Sequence, residues 1–187
     1  MQEDDRSLVS AVVRGNKGAF KRLIEQHQTL VAHMIYRIVD DEMDREELCQ
    51  DVFVRVYDKL HEFQFQSKLS TWIATIAYRT AINHVNKNKV RFTELEEVKF
   101  HQTEMADVAE SSDFTAFVHR LIDQLPMQYR NVLTLYYVQG FSYPEIVSIT
   151  EMPEGTVKNY LYRAKEKLRT LSEPYLKQEL EGYGFKK

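Results

Sequence analysis

The chain has 187 residues, 43% of them hydrophobic, and a net charge of −3. That length suits one or two domains with real cores, and no apolar run is long enough to cross a membrane, so no membrane insertion is expected. A single cysteine, Cys49, excludes an internal disulfide and a cysteine-built metal cage, and a reducing cytoplasm is the natural setting. The opening MQEDDRSLVSAVVRG puts acids where a secretory signal needs bases. Six glycines, four prolines and scarce two-residue alternation predict an all-α fold. The histidines at 27, 33, 61, 84, 101 and 119 have no metal-ligand spacing, and no nucleotide-binding glycine loop is present. The pattern therefore predicts no enzyme, no metal and no cofactor.

Charge is distributed in blocks. Residues 40–62 carry nine acids and three bases, whereas residues 66–91 carry five bases and no acid. Residues 92–113 carry seven acids and one base, and residues 156–171 five bases and one acid. Two separate basic blocks suggest two contacts with nucleic-acid phosphates, and the acidic blocks suggest a partner of another kind.

In chain order, residues 5–14 predict a short helix ending at Gly15, and Lys17 to Val39 a longer one with a broad apolar face, closed by Asp40-Asp41-Glu42. Helix 44–60 places Leu48, Cys49, Val52, Phe53, Val56 and Leu60 on its core side, with Cys49 as a small buried hydrophobe. Glu47, Asp51 and Asp58 share the other side, with Val54 and Tyr57 among them. Apolar side chains inside an acidic face suggest a docking surface, although a solvated face with two stray hydrophobes has the same pattern. The loop HEFQFQSKLS sets Phe63 and Phe65 among Gln64, Gln66, Ser67 and Lys68. Aromatics in a polar, basic loop can stack on unpaired bases; Phe63 is expected to plug into the bundle, and Phe65 is left open. Helix 70–88 turns Ile73, Ala77, Ala81 and Val85 inward and Thr75, Arg79, Asn83 and Asn86 outward. Trp72 stands beside that stripe and Lys87 near its end, a composition suited to a single strand.

Residues 92–115 are acidic and weakly periodic, and read as a flexible linker. Phe114–Leu125 and Met127–Val138 predict two helices of a second domain, ending at Gly140. Ser142 and Glu145 form a capping box for a short helix, and Met152-Pro153-Glu154-Gly155 reads as a turn. Val157, Leu161, Ala164 and Leu168 then form an apolar stripe. Asn159, Tyr162, Arg163 and Glu166 point away from it, flanked by Lys158, Tyr160, Lys165 and Lys167. Helix, tight turn and a second helix with a basic, amide-bearing outer face is the helix-turn-helix pattern for duplex DNA.

The order of parts resembles the extracytoplasmic-function (ECF) sigma factors of bacteria. The resemblance rests on Gly15-Asn16-Lys17 with Ala19-Phe20, Glu47-Leu48-Cys49-Gln50-Asp51-Val52-Phe53, and Ser70-Thr71-Trp72-Ile73 with Ile76-Ala77. It continues through Leu125-Pro126 with Tyr129-Arg130, and Gly155-Thr156-Val157-Lys158 with Arg163-Ala164. It implies region 2 over 1–91, a linker over 92–115 and region 4 over 116–187. It further implies core RNA polymerase and promoter DNA as partners, an anti-sigma factor as a regulator, and a bacterial cytoplasmic location. Glu47, Leu48, Asp51, Val54, Tyr57 and Asp58 would then meet polymerase. Phe63, Phe65, Ser67, Lys68, Trp72, Arg79, Asn83 and Lys87 would take the melted −10 strand. Lys158, Asn159, Tyr160, Tyr162, Arg163 and Lys165 would take the −35 duplex. This chain departs from the family where Phe65 and Glu151 replace common glycines, where Ala74-Thr75 and Arg79 replace common −10-facing residues, and where Asn159-Tyr160 replaces a common serine-arginine pair. An ordinary helix-turn-helix regulator would account for 142–169 alone, and a sigma mimic that sequesters an anti-sigma factor would have no use for the two basic blocks.

Overall fold

The computed structural model describes residues 2–92 and 113–182, and side-chain surroundings within 4–88 and 117–175. Most of the expected linker lies outside the described residues. Among those described, every regular element is helical.

The first bundle has four α-helices. α1 (Gln2–Val13) buries Leu8, Val9 and Val12 and ends before Gly15, whose φ of +83° reverses the chain. α2 (Lys17–Tyr36) starts at Asn16, which accepts a bond from the Ala19 N–H at 3.0 Å, and buries Leu23, Leu30, Val31, Met34 and Ile35. The expected run to Val39 is too long: the chain leaves the helix at Arg37, while Ile38 and Val39 stay buried in the turn that follows. The acids at 40–42 do more than stop α2. Asp41 caps α3 (Glu42–Lys59) by accepting from the Asp44 N–H at 3.1 Å, and Glu42 and Asp44 sit in its first turn, where the helix dipole favours acids. After a 3₁₀ turn, Leu60–Glu62, the loop leads into α4 (Leu69–Phe92). α4 buries Ile73, Ala74, Ala77 and Ala81, and the three small alanines let it pack closely on its neighbours α2 and α3.

The second bundle comprises α5 (Asp113–Asp123), α6 (Met127–Leu133), a π-helical turn (Thr134–Val138), α7 (Tyr143–Thr150) and α8 (Glu154–Gly182). The single helix expected over 127–138 changes its winding at Thr134, where the Gln139 N–H bonds back to the Thr134 carbonyl. The capping box forms as expected: the Ser142 N–H and hydroxyl both reach Glu145 Oε2, at 2.8 and 2.7 Å. α8 continues well past Leu171, through Pro174. Leu121, Ile122, Leu125, Val132, Leu133, Leu135, Ile146, Ile149, Val157, Leu161 and Ala164 form its core. The two bundles meet: α4 packs against α7 as well as against α2 and α3, and the buried apolar residues form one continuous cluster.

Candidate nucleic-acid and partner interface

The outer face of α8 is built as its periodicity dictates. Val157, Leu161 and Ala164 are buried and Leu168 is half-buried, so Lys158, Asn159, Tyr162, Arg163 and Lys165 are turned out and exposed. Tyr160 differs: it is half-buried, edge-on to Tyr129 with ring centroids 5.2 Å apart. Groups of the same bundle hold the three cations. Lys158 pairs with Glu154 at 2.6 Å and lies 5.5 Å from the Tyr143 ring centroid. Arg163 donates to the Tyr129 hydroxyl at 3.5 Å, and Lys165 lies 5.4 Å from the Tyr137 ring centroid. Hydrogen bonds to Glu154, Tyr129 and Tyr137 respectively raise the pKa of Lys158, Arg163 and Lys165, so all three remain cations.

The turn before α8 is tight because Glu151, which ends α7, is left-handed at φ +60°. Phe65, in the loop before α4, is also left-handed, at φ +57°. These are the two positions where a glycine is common in the resembled family. The Phe63 side chain is buried and plugs the bundle as expected. Phe65 is half-buried, 4.7 Å from Phe63 between centroids, with the Arg6 guanidinium 4.7 Å over its ring. Trp72 is half-buried and packs on Phe63 with tilted rings, centroids 5.2 Å apart, so loop and helix share one aromatic cluster. Ser67, Lys68, Arg79, Asn83 and Lys87 are exposed along one side of that cluster and α4. Ala74 is fully buried, Thr75 is half-buried with its hydroxyl bonded back to the Thr71 carbonyl, and Arg79 is exposed.

On α3, Glu47, Asp51 and Asp58 are exposed, with Val54 at 59% and Tyr57 at 48% exposure among them. Leu48 is buried and contributes to the core behind that face. Cys49 is half-buried, and burial together with Glu46 pushes its thiol up to about 11, which removes it as a nucleophile.

Sequence periodicity did not reveal the contacts between the bundles. Arg37 is 2% exposed, and its guanidinium donates to Asp123 and to His119 Nδ1, both on α5. Gln139 bonds His33 Nδ1. Lys68 pairs with Glu145 at 3.0 Å, Thr71 donates to the same carboxylate at 3.2 Å, and Arg79 pairs with Glu151. Burial raises the Glu145 pKa, but bonds from the Ser142 hydroxyl and N–H and from Lys68 outweigh it and bring the carboxyl down to about 2. Burial, then Arg37, lowers both His33 and His119. Long-range partners of this kind leave no local pattern; only the capping role of Glu145 was visible.

A helical bundle with an aromatic cluster and a basic side, joined to a helix-turn-helix bundle, is the arrangement of a promoter-specificity factor. The family model for sigma-70 region 2 matches residues 23–91 and that for sigma-70 region 4 matches 118–168. The RNA polymerase sigma-H factor of Pseudomonas aeruginosa is 32% identical over 95% of this chain and 98% of its own length. The ECF RNA polymerase sigma-E factor of Escherichia coli is 28% identical over 95% and 98%, and the ECF sigma factor SigW of Bacillus subtilis 26% identical over 86% and 92%. Among solved structures, the sigma factor RpoE bound to the anti-sigma factor NepR from Bartonella quintana superposes with a TM-score of 0.72 at 20% identity, covering 81% of this chain and 95% of that one. CnrH bound to the cytosolic domain of CnrY superposes with a TM-score of 0.63 at 20% identity, covering 91% and 97%. These two likenesses speak to the fold. The chain belongs to the ECF sigma factors of bacterial RNA polymerase. It is an alternative sigma factor that supplies promoter recognition.

Proposed function

We propose that this sigma factor divides its work along the surfaces described above, with region 2 in 1–91, a linker over 92–115 and region 4 in 116–187. The single observation that carries the reading is the face of α8, where Lys158, Asn159, Tyr162, Arg163 and Lys165 stand exposed together opposite the buried Val157, Leu161 and Ala164. A helix about 10–12 Å across fits the major groove, and there Lys158 and Lys165 contact phosphates while Asn159 and Arg163 read base edges of the −35 element. Tyr160, half-buried on Tyr129, buttresses the helix at the edge of that contact.

Phe65 and Trp72, with Ser67, Lys68, Arg79, Asn83 and Lys87, take the unpaired −10 strand, and Phe63 supports them from below. Extruding a base costs a few kcal/mol, and stacking on the aromatics offsets it at about 1–3 kcal/mol per base. This is how the chain helps open the promoter without chemistry of its own. The acidic face of α3, with Val54 and Tyr57 inside it, docks on core polymerase, and Leu48 shapes that face from the core side. The chain works in the bacterial cytoplasm, where polymerase is. An anti-sigma factor holds it inactive, in keeping with the anti-sigma complexes of the two structural neighbours.

The test is transcription. The purified chain and bacterial core polymerase are mixed with a library of promoter fragments, and run-off transcripts are sequenced. Discrete start sites that require the chain, with two shared upstream elements, are the expected result. Arg163→Ala should alter the preferred −35 sequence; an unchanged preference removes Arg163 from base reading.

A further inference from the structure

We propose that Arg6, on α1 and outside both stretches matched by the family models, is a stacking residue of the −10 strand site. Its guanidinium covers Phe65 in the chain alone, and an extruded base enters between the two and is held by ring and guanidinium together. This deepens the promoter-binding reading of the loop before α4 and rests on it.

The loop is built to present this ring. Phe65 is left-handed at φ +57°, a conformation that a bulky side chain keeps only where its surroundings hold it. Two neighbours do so. Phe63 lies 4.7 Å away between centroids with its plane tilted by 51°, and Trp72 continues the cluster behind Phe63. Arg6 places its guanidinium carbon over the Phe65 ring, 4.7 Å from the centroid. The two neighbours are not alike. Phe63 is buried in the core, whereas Arg6 is exposed.

Arg6 is free to move without disturbing the bundle. α1 is anchored by Leu8, Val9 and Val12, and Arg6 stands one turn before Val9 on the same helix. The nearby Asp4 is engaged by Arg22 at 3.5 Å, and among the described residues no carboxylate pairs with Arg6. Its long, flexible side chain can therefore rise by the thickness of one base. A guanidinium over an exposed ring gains less than a base stacked on that ring. The base displaces the guanidinium, whose planar fork then stacks on the outer face of the base. Phe65 stays covered in both states, so its turn needs no rearrangement. Arg6 touches the face of the base and not its edges, and so adds affinity whatever the base.

The test uses the holoenzyme formed with core polymerase and the −10 strand of a promoter recovered by run-off transcription. 2-Aminopurine, whose fluorescence falls on stacking, is placed at each position of the strand in turn. The parent should quench one position strongly. Arg6→Ala should relieve that quenching, with other positions unchanged, and weaken strand binding about three- to tenfold. Arg6→Lys keeps the charge without a planar face and should bind as weakly as Arg6→Ala. In a Phe65→Leu background, Arg6→Ala should have no further effect. Full binding by Arg6→Lys reduces the residue to a charge and overturns the proposal. Unchanged quenching in Arg6→Ala overturns it too, as do independent losses from Arg6 and Phe65. Asn83→Ala reads the wider assignment. If it weakens strand binding while the Arg6 variants bind as the parent does, the inference falls and the −10 reading of α4 stands. If neither substitution matters, the −10 reading itself falls.

Discussion

The outer face of α8 and the stripe along α4 are built from the same residue types, yet their cations have different neighbours. On α8, Lys158 leans on Glu154 and Tyr143, Arg163 on Tyr129 and Lys165 on Tyr137, all within one bundle. On α4, Lys68 and Arg79 are held by Glu145 and Glu151, which belong to the other bundle. The face of α8 is thus arranged whatever the two regions do. The face of α4 depends on how they are placed. A short local pattern is enough to build the first; the second needs the whole chain.

The largest effect should come from the deepest of these cross-bundle contacts. Replacing Asp123 with Asn leaves the Arg37 guanidinium buried without its carboxylate, a loss of about 3–5 kcal/mol. Arg37→Met removes the charge along with its need for a partner and should cost less. Denaturant unfolding of the full chain measures both. Equal losses from the two variants would mean that the pair adds only bulk, and the contrast drawn between α4 and α8 would weaken.

Acid should weaken the same seam in two stages. His33 and His119 have pKa values below their ordinary 6.5, through burial first and then Arg37, with Asp123 opposing at His119. The folded chain therefore binds fewer protons than the unfolded one, and the stability they leave intact above pH 6.5 is lost as pH falls below it. His27, lowered by burial, adds to this limb from within the first bundle. Glu145, ordinarily 4.5 and about 2 here, contributes stability that is complete above pH 4.5 and lost as pH falls toward 2. That second limb is worth at most about 3 kcal/mol. Melting temperature against pH should show both limbs, and His33→Gln with His119→Gln should flatten the upper one. A flat profile between pH 7 and 5 in the parent would contradict the buried-histidine geometry.

A smaller and more selective effect is expected on α8. Arg163→Ala or Asn159→Ala should change −35 discrimination by about 1–3 kcal/mol, and Lys158→Ala should weaken binding across sequences. Competition binding to duplex fragments separates the two behaviours. Because the face of α8 is held by its own bundle, these effects should persist when Asp123→Asn loosens the seam. Their disappearance in that background would break the comparison.

What was legible in the sequence follows the same division. The stripe Val157, Leu161, Ala164 and Leu168 placed α8 and its outer face correctly because a helix repeats every few residues and needs no distant information. The core side of α3 was legible for the same reason, the capping box at Ser142 and Glu145 because it too is a pattern of near neighbours, and Phe63 is buried as expected. Arg37 was not. An arginine just past an apolar helix looks like a surface residue until Asp123, 86 positions later, is brought against it. The end of α2 was misjudged because the buried residues continue through Ile38 and Val39 after the helix has stopped, so apolar character alone marks the core and not the winding. The π-helical turn at Thr134–Val138 was likewise hidden, since its residues suit an ordinary helix.

The smallest effects concern the two non-glycine residues with positive φ, and here the regions should respond with opposite signs. Each side chain at φ near +60° costs about 0.5–1 kcal/mol relative to glycine. At Glu151 the side chain is exposed and its pair with Arg79 is mostly solvated, worth little in return. Glu151→Gly should therefore leave stability unchanged or raise it by up to about 1 kcal/mol, while freeing Arg79 on α4. At Phe65 the ring packs on Phe63 and under Arg6, and losing those contacts costs about 1–2 kcal/mol, more than the backbone relief returns. Phe65→Gly should destabilise the first bundle and weaken single-strand binding together. If both glycine variants proved equally stabilising, backbone strain alone would govern the two turns, and the aromatic cluster around Phe63 would hold nothing in place. If Glu151→Gly proved destabilising by more than about 1 kcal/mol, the pair with Arg79 would be stronger than an exposed contact allows. The α4 cations would then be bound to region 4 more firmly than the buried Arg37 contact requires.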